Sequence, residues 1–360
     1  MPPTTRMDPT SSHDRKGPRR AGVTVADDPA PAPEIWCRCR RVLACLDGSE
    51  LGERVIPHAL ALARAYDAPI TLLRVLECPP SGAALFDPVE WEMHRSEARE
   101  RLDRLVGARQ AAYKSIDTEL VEGHAAEEIC LWARHHDADV TVLSSHGASG
   151  ATQWRIASTA RKLVDRVPGS FMLIPVAARP VSDAIARYRK ILVPMDGSLR
   201  AESVLPVALR LASAGQAEII LGHVVPIPEL TEIGPLDSEA VDLRERLVER
   251  NERIASAYLD RLRVRLAAND GTIRALVLRA ADVRSRLARL IADENVDLVV
   301  LSAHGRSGRA DVPFGSSVEY LLAHATAPLL VLREGPPRVP ARPPEATPCD
   351  GMRLPSQASP

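Results

Sequence analysis

Two aspartates, Asp47 and Asp196, each close a short apolar run and each precede Gly-Ser. A carboxylate there can accept backbone N–H groups at the start of a following helix. It can also accept a hydrogen bond from the amine or hydroxyl of a bound molecule. The residue type alone leaves both roles open. Further along, Ser302-Ala303-His304-Gly305 is followed by nine residues and then by Gly315-Ser316-Ser317, which opens a helical pattern. Glycine lets main chain approach an anion closely. A helix N-terminus adds unpaired N–H groups and partial positive charge, which suit phosphate. Ser316 and Ser317 contribute hydroxyls. The same residues also make an ordinary Gly/Ser-rich loop ahead of a helix. A Walker-type loop is excluded, because no Gly-Lys-Ser/Thr follows. Main chain at Arg74-Val75 and His223-Val224, where second apolar runs end, could read the edge of a planar base.

Other reactive side chains have less to support them. His146 and His304 adjoin the loops and titrate near neutrality, so a general-base role is conceivable. Neither has a carboxylate neighbour in sequence, and each could simply shape its turn. Arg306 and Arg309 could neutralise a phosphoryl group or lie on a solvated loop. His135 and His136 are adjacent on a helical pattern, face different directions and make poor joint ligands. Trp91, Trp132 and Trp154 read as packing residues. The six cysteines (Cys37, Cys39, Cys45, Cys78, Cys130 and Cys349) do not form a disulfide scaffold in 360 residues. No His/Cys pair completes a zinc site with Cys37 and Cys39, and no metal site is expected.

The elements that position these residues occur twice. Arg41-Val42-Leu43-Ala44-Cys45-Leu46-Asp47-Gly48-Ser49 matches Lys190-Ile191-Leu192-Val193-Pro194-Met195-Asp196-Gly197-Ser198 at an offset of 149 residues. Val142-Leu143-Ser144-Ser145-His146-Gly147 matches Val300-Leu301-Ser302-Ala303-His304-Gly305 at an offset of 158, so the second copy carries nine extra residues. Such a period is too long for a solenoid and means two duplicated domains. They are expected over 38–178 and 188–333, joined by 179–187. The flanks 1–37 and 334–360 hold fifteen of the thirty prolines and are expected to be disordered.

In the second copy, strands are expected over 191–195, 219–225, 273–278, 298–301 and 329–332. Helices are expected over 201–214, 238–267, 283–295 and 316–323. Continuous apolar strands alternating with helices predict a parallel sheet covered on both faces. Each copy should therefore be an open five-stranded, doubly wound α/β sheet with its crevice at the carboxyl ends of the strands.

The chain has 45% hydrophobic and 26% charged residues, enough apolar material for two cores. A net charge of -1 and an aromatic content of 3% give no footprint for nucleic acid or an anionic membrane. No signal-peptide core or apolar span is present, so a cytoplasmic protein is expected.

Taken together, these segments resemble the tandem form of the universal stress protein family. The hallmarks are Ile191-Leu192-Val193-Pro194-Met195-Asp196-Gly197-Ser198, Ser302-Ala303-His304-Gly305 with its gap to Gly315-Ser316, and Ala327-Pro328-Leu329-Leu330-Val331-Leu332. The resemblance implies flavodoxin-like (adenine nucleotide alpha hydrolase-like) domains and, in one branch, bound ATP, with or without Mg. In copy two it assigns Asp196 and the Val224 main chain to adenine, Ser302 to ribose, and Gly305, Gly315, Ser316 and Ser317 to phosphate. In copy one the matching set is Asp47, Val75, Ser144, Gly147, Ala157 and Ser158. Ser302 and Ser144 replace the first glycine of the family pattern, and Ala157 replaces a later one. An alanine requires φ below zero and adds a methyl where phosphate should approach, which predicts weaker binding at copy one, by on the order of 1 kcal/mol or more. The resemblance also implies pairing of the two domains through their last strands, with a homodimer as a further option.

Three functions fit these residues. One is a stress-response protein that binds an adenine nucleotide and acts as a sensor without rapid turnover. The others are a slow ATPase or phosphotransferase, and a nucleotide-free interaction module.

Overall fold

The apolar runs of the sequence become strands, and the amphipathic stretches between them become helices. The computed structural model describes residues 39–77, 87–147, 156–229, 237–267, 271–306 and 312–333. The expected disordered flanks, with Cys37 and Cys349, lie outside the described residues, as do Cys78, Trp154 and Arg309.

Repeat one runs β1 (Val42–Leu46), α1 (Glu50–Glu53), α2 (Val55–Tyr66), β2 (Ile70–Leu76), α3 (Pro88–Gly107), β3 (Ile116–Glu122), α4 (Ala125–His135), β4 (Val140–Ser144), α5 (Ser158–Arg166) and β5 (Ser170–Ile174). Repeat two runs β6 (Lys190–Pro194), α6 (Leu199–Glu202), α7 (Leu205–Gly215), β7 (Glu218–Pro226), α8 (Ser238–Leu266), β8 (Ile273–Ala280), α9 (Val283–Asp293), β9 (Leu298–Ser302), α10 (Ser316–His324) and β10 (Leu329–Leu332). The helix expected over 201–214 is two. Ser198 caps α6, and Pro206, which lacks an N–H, lies in the first turn of α7. A proline suits a helix start and would break a helix interior. Eight of the nine extra residues fall between β2 and β3 in the count of repeat one: Ile70 to Ile116 spans 46 positions, and Ile219 to Ile273 spans 54. They lengthen the helix there, from 20 residues in α3 to 29 in α8.

Within each repeat the strands are parallel, in the order β3-β2-β1-β4-β5 and β8-β7-β6-β9-β10. The strand order reverses between β1 and β4, and between β6 and β9. That is where a doubly wound sheet opens its crevice. Central strands such as β1 are buried along their whole length, as a sheet covered on both faces requires.

The two five-stranded sheets join into one of ten strands, because β5 and β10 pair antiparallel. Phe171 faces Val331, Met172 faces Leu330 and Leu173 faces Leu329. Met172 and Leu330 are equivalent positions of the two repeats, 158 apart, so the seam has an approximate two-fold axis through that pair. Across the same axis Arg161 of α5 and Glu319 of α10, also 158 apart, form an ion pair at 2.5 Å. One apolar layer on each sheet face runs through both repeats. The connecting segment packs back onto repeat one. Ala186 N donates to Pro57 O at 2.9 Å, and Tyr188 Oη lies 3.0 Å from His58 Nδ1. No helix among the described residues is long and apolar enough to cross a membrane.

Candidate functional site

The site of repeat two is built around Asp196, two residues beyond the last pairing of β6. Its Oδ1 accepts from Ser198 N at 3.0 Å and Ser198 Oγ at 2.6 Å. Ser198 Oγ in turn accepts from Ala201 N at 3.1 Å. The aspartate therefore does not cap the helix itself, as the sequence allowed. Ser198 is the cap, and Asp196 holds it. Asp196 Oδ2 accepts from Arg306 N at 2.6 Å, which ties the loop after β6 to the loop after β9. Asp47 does the same for Ser49 in repeat one, at 3.0 Å and 2.7 Å, and Ser49 caps α1. A carboxylate oxygen carries two lone pairs. With one protein donor, Asp196 Oδ2 can still accept from a ligand.

Gly48 and Gly197 follow the aspartates with φ of 83° and 79°, a region that favours glycine. The surroundings of these two glycines differ. A β-carbon on Gly48 would lie 2.6 Å from Arg74 Nη2, whereas nothing lies within 4 Å of one on Gly197. The guanidinium of Arg74 thus covers the turn beside Asp47. Burial lowers its pKa first and Arg101 adds to that, against the attraction of Asp47, Glu53 and Glu97. The equivalent residue in repeat two is His223, whose Nδ1 lies 2.7 Å from Met195 O instead.

Val224 offers its main chain to the cleft. Gly222 O accepts from Met195 N at 2.8 Å, and Ile227 N donates to Ala280 O at 2.9 Å. Residues of one parity on β7 therefore face β6, and those of the other face β8. Pairing with β6 stops at Gly222, so the N–H and C=O of Val224 point past the end of β6 into the crevice. Val75 has the same parity on β2, where pairing with β1 stops at Arg74.

The opposite end of the cleft is the start of α10. Its N-cap is Gly315, with no side-chain cap. Among the described residues the N–H groups of Ser316, Ser317 and Val318, in this first turn, have no acceptor, an arrangement that suits an anion. The N–H of Gly315 is not: it donates to Ala303 O at 2.8 Å. Gly315 also has φ -70° and ψ 158°, close to the -67° and 153° of Ala157 in repeat one. Alanine adopts that conformation without strain. The expectation of a backbone penalty at copy one is therefore corrected. A β-carbon on Gly315 would lie 3.7 Å from Gly305 N, so what Ala157 adds is a methyl over the neighbouring amide.

Asp196, Val224, Ser302, Gly305, Gly315, Ser316 and Ser317 all line one cavity of about 330 Å3. That lies at the lower end of ligand-pocket sizes. Val283, Leu287 and Leu301 add an apolar wall. Sequence reasoning missed this wall, since the spacing of Val283 and Leu287 marks an inward helix face without separating core from cleft. His304 Nε2 donates to Val312 O at 2.8 Å and so holds the segment 312–315. Arg306 is exposed, and its main chain rather than its guanidinium meets Asp196. In repeat one Ser144 ends β4, Ala157 N donates to Ser145 O at 2.8 Å, and Ser158 starts α5. His146 is buried, with Nδ1 3.1 Å from Ser145 Oγ. Trp132 is buried and stacks on His136 at 4.1 Å, while Trp91 Nε1 donates to Glu122 at 3.3 Å. Burial pushes the thiols of Cys45 and Cys130 upward, so both stay protonated. No cluster of three or more His, Cys, Asp or Glu suited to a metal ion occurs among the described residues.

The model of the universal stress protein family matches residues 38–175 and again residues 187–333. The chain belongs to the universal stress protein family. A universal stress protein of Mycobacterium tuberculosis is 29% identical over 208 residues, which cover 55% of this chain and 63% of that protein. The chain thus spans less than two thirds of the length of this relative. The crystal structure of a universal stress protein from Archaeoglobus fulgidus superposes with a TM-score of 0.55 at 16% identity, covering 82% of this chain and 98% of that one. This likeness shows the tandem universal stress fold. A further universal stress protein was solved in complex with cAMP; it is 18% identical, covers 41% of this chain and 98% of its own, and has a TM-score of 0.27.

Proposed function

We propose that this universal stress protein binds ATP or a related adenine nucleotide in the cleft of repeat two and acts as a sensor rather than a rapid catalyst. The observation that carries this reading is one cavity with two complementary ends. At one end the unpaired main chain of Val224 faces inward beside Asp196 and offers a donor and an acceptor to a base edge. At the other the open first turn of α10 offers N–H groups and Ser hydroxyls to phosphate. Ser302 lines the same cavity and in this reading meets the ribose. Mg could accompany the phosphates, held by the nucleotide and water.

Repeat two is the preferred site in this reading. In repeat one Arg74 covers Gly48, and Ala157 carries a methyl where repeat two has Gly315. The repeats would act as two domains, 38–178 and 188–333, in the cytoplasm. A turnover role has less support, because His304 is committed to Val312 O.

The test is a thermal-shift and calorimetric titration with ATP, ADP, AMP and cAMP. The expected result is one adenine nucleotide per chain. Ser317→Asp puts a carboxylate in the first turn of α10, where it favours the helix and opposes phosphate. It should keep or raise Tm while ATP affinity drops at least tenfold, a loss of about 1.4 kcal/mol. No shift with any of these ligands at millimolar concentration defeats the reading.

A further inference from the structure

The segment 312–315, which leads into the start of α10, packs against repeat one. Phe314, immediately before Gly315, is buried with its ring edge-on to Phe171 of β5, at 5.7 Å between centroids and 76° between planes. Arg333, one residue beyond β10, lies over both rings, 5.4 Å from the centroid of Phe171 and 5.0 Å from that of Phe314. Its guanidinium donates to Val167 O at 2.7 Å and also to Val164 O. These carbonyls belong to the last turn of α5 and its C-cap, where no intrahelical partner remains. Its own N–H donates to Ser170 Oγ at 3.2 Å. Burial lowers the pKa of this arginine, though not enough to discharge it.

We infer that Arg333 is a positioning residue for the phosphate end of the repeat-two cleft: by clamping Phe314 against repeat one, it fixes Gly315 and the open amides that follow. The reason is geometric. Three anchors hold the segment from Val312 to Gly315: His304 on Val312 O, Phe314 in the seam, and Gly315 N on Ala303 O. Two are hydrogen bonds within repeat two. The third is the ring, and its far wall is supplied by Phe171 and Arg333. Cation–π contact and charge-assisted bonds to carbonyls are strongest when partly desolvated, as here. Repeat one has no such clamp, because Ile156 stands where repeat two has Phe314 and Pro175 where it has Arg333. This gives the two clefts different rigidity, apart from the difference between Ala157 and Gly315.

The ligand part of this inference rests on the nucleotide reading above; the loop part does not. The experiment compares the full-length protein with its Arg333→Met variant, reading amide exchange by NMR and affinity by calorimetry. Arg333→Met keeps an unbranched side chain and removes the charge. Exchange at Gly315 N–H is expected to speed up about tenfold while Ile220 in the sheet is unchanged. ATP should lose about tenfold in affinity and adenosine little, since only the phosphate end is loosened. Arg333→Lys, with charge but no fork, should fall between. Unchanged exchange at Gly315, or acceleration of Gly315 and Ile220 alike, overturns the inference. So does an equal loss for ATP and adenosine. If the parent protein binds no nucleotide, the functional reading fails while the exchange data still judge the clamp. Should Arg333→Met fail to fold, Phe314→Leu, which stays apolar, is read by the same criteria.

Discussion

The carboxylate of Asp196 occupies the space that a side chain on Gly305 would need: a β-carbon there would lie 2.3 Å from Oδ2. The pair Asp47 and Gly147 repeats the arrangement, at 1.9 Å. The glycine of the loop after β9 is thus required by an aspartate of the same protein, whatever ligand it meets. Gly305→Ala should cost about 1–3 kcal/mol in urea denaturation. Adding Asp196→Ala should recover part of that loss, so the double variant loses less than the two single losses together. Additive losses would show that the carboxylate yields freely.

Gly315 behaves oppositely. Its φ of -70° is open to alanine, and the nearest atoms to an added β-carbon are at an ordinary 3.7 Å. Gly315→Ala should leave the denaturation midpoint unchanged or raise stability by up to about 1 kcal/mol, through the unfolded chain. ATP affinity is the separate readout. A fall there without loss of stability assigns the effect to the methyl over the Gly305 amide. A clear loss of stability would contradict the backbone geometry.

His58 makes stability depend on pH. Burial, followed by the nearby Arg54, lowers its pKa from 6.5 to about 4. Below pH 6.5 the unfolded chain takes up a proton that the folded chain refuses. The stabilising contribution is therefore complete above that pH and is lost as pH falls from 6.5 towards 4. The full span is on the order of 3 kcal/mol. Urea titrations across this window should show the slope, and His58→Gln should flatten it. A His58→Gln profile parallel to that of the parent would place the slope elsewhere.

The ion pair between Arg161 and Glu319 is partly exposed, with about a third and nearly half of each side chain open to solvent. Arg161→Glu should cost roughly 0.5–1 kcal/mol at low salt, and less at high salt. The exchange Arg161→Glu with Glu319→Arg should restore part of it, since Arg161 also pairs with Asp165 at 3.1 Å. A double-mutant cycle in low and high salt checks both statements.

Much of this architecture was legible in the sequence. The strands were, because central parallel strands must be apolar along their whole length, as in Ile191-Leu192-Val193. The set from Asp196 to Ser317 that the family resemblance implies comes together in one cavity, because the topology fixes where those strand ends meet. Helix breaks were less so: the run of Val204, Leu205 and Ala208 has helical spacing on both sides of the break that Pro206 permits. The conformation of Gly315 could not be read, since glycine is compatible with either sign of φ. The contacts of Phe314 and Arg333 with Phe171 were also hidden. They join residues more than 140 positions apart, and no local pattern records them.

Arg161 and Glu319 occupy the same place in their respective repeats and meet across the seam. Two copies of repeat one arranged in the same way would bring arginine against arginine, and two copies of repeat two would bring glutamate against glutamate. Fusing the halves into one gene product lets opposite charges occupy matching positions, which no dimer of identical subunits can do. The pair thus favours the meeting of two unlike halves, by no more than the roughly 0.5–1 kcal/mol of a partly exposed ion pair.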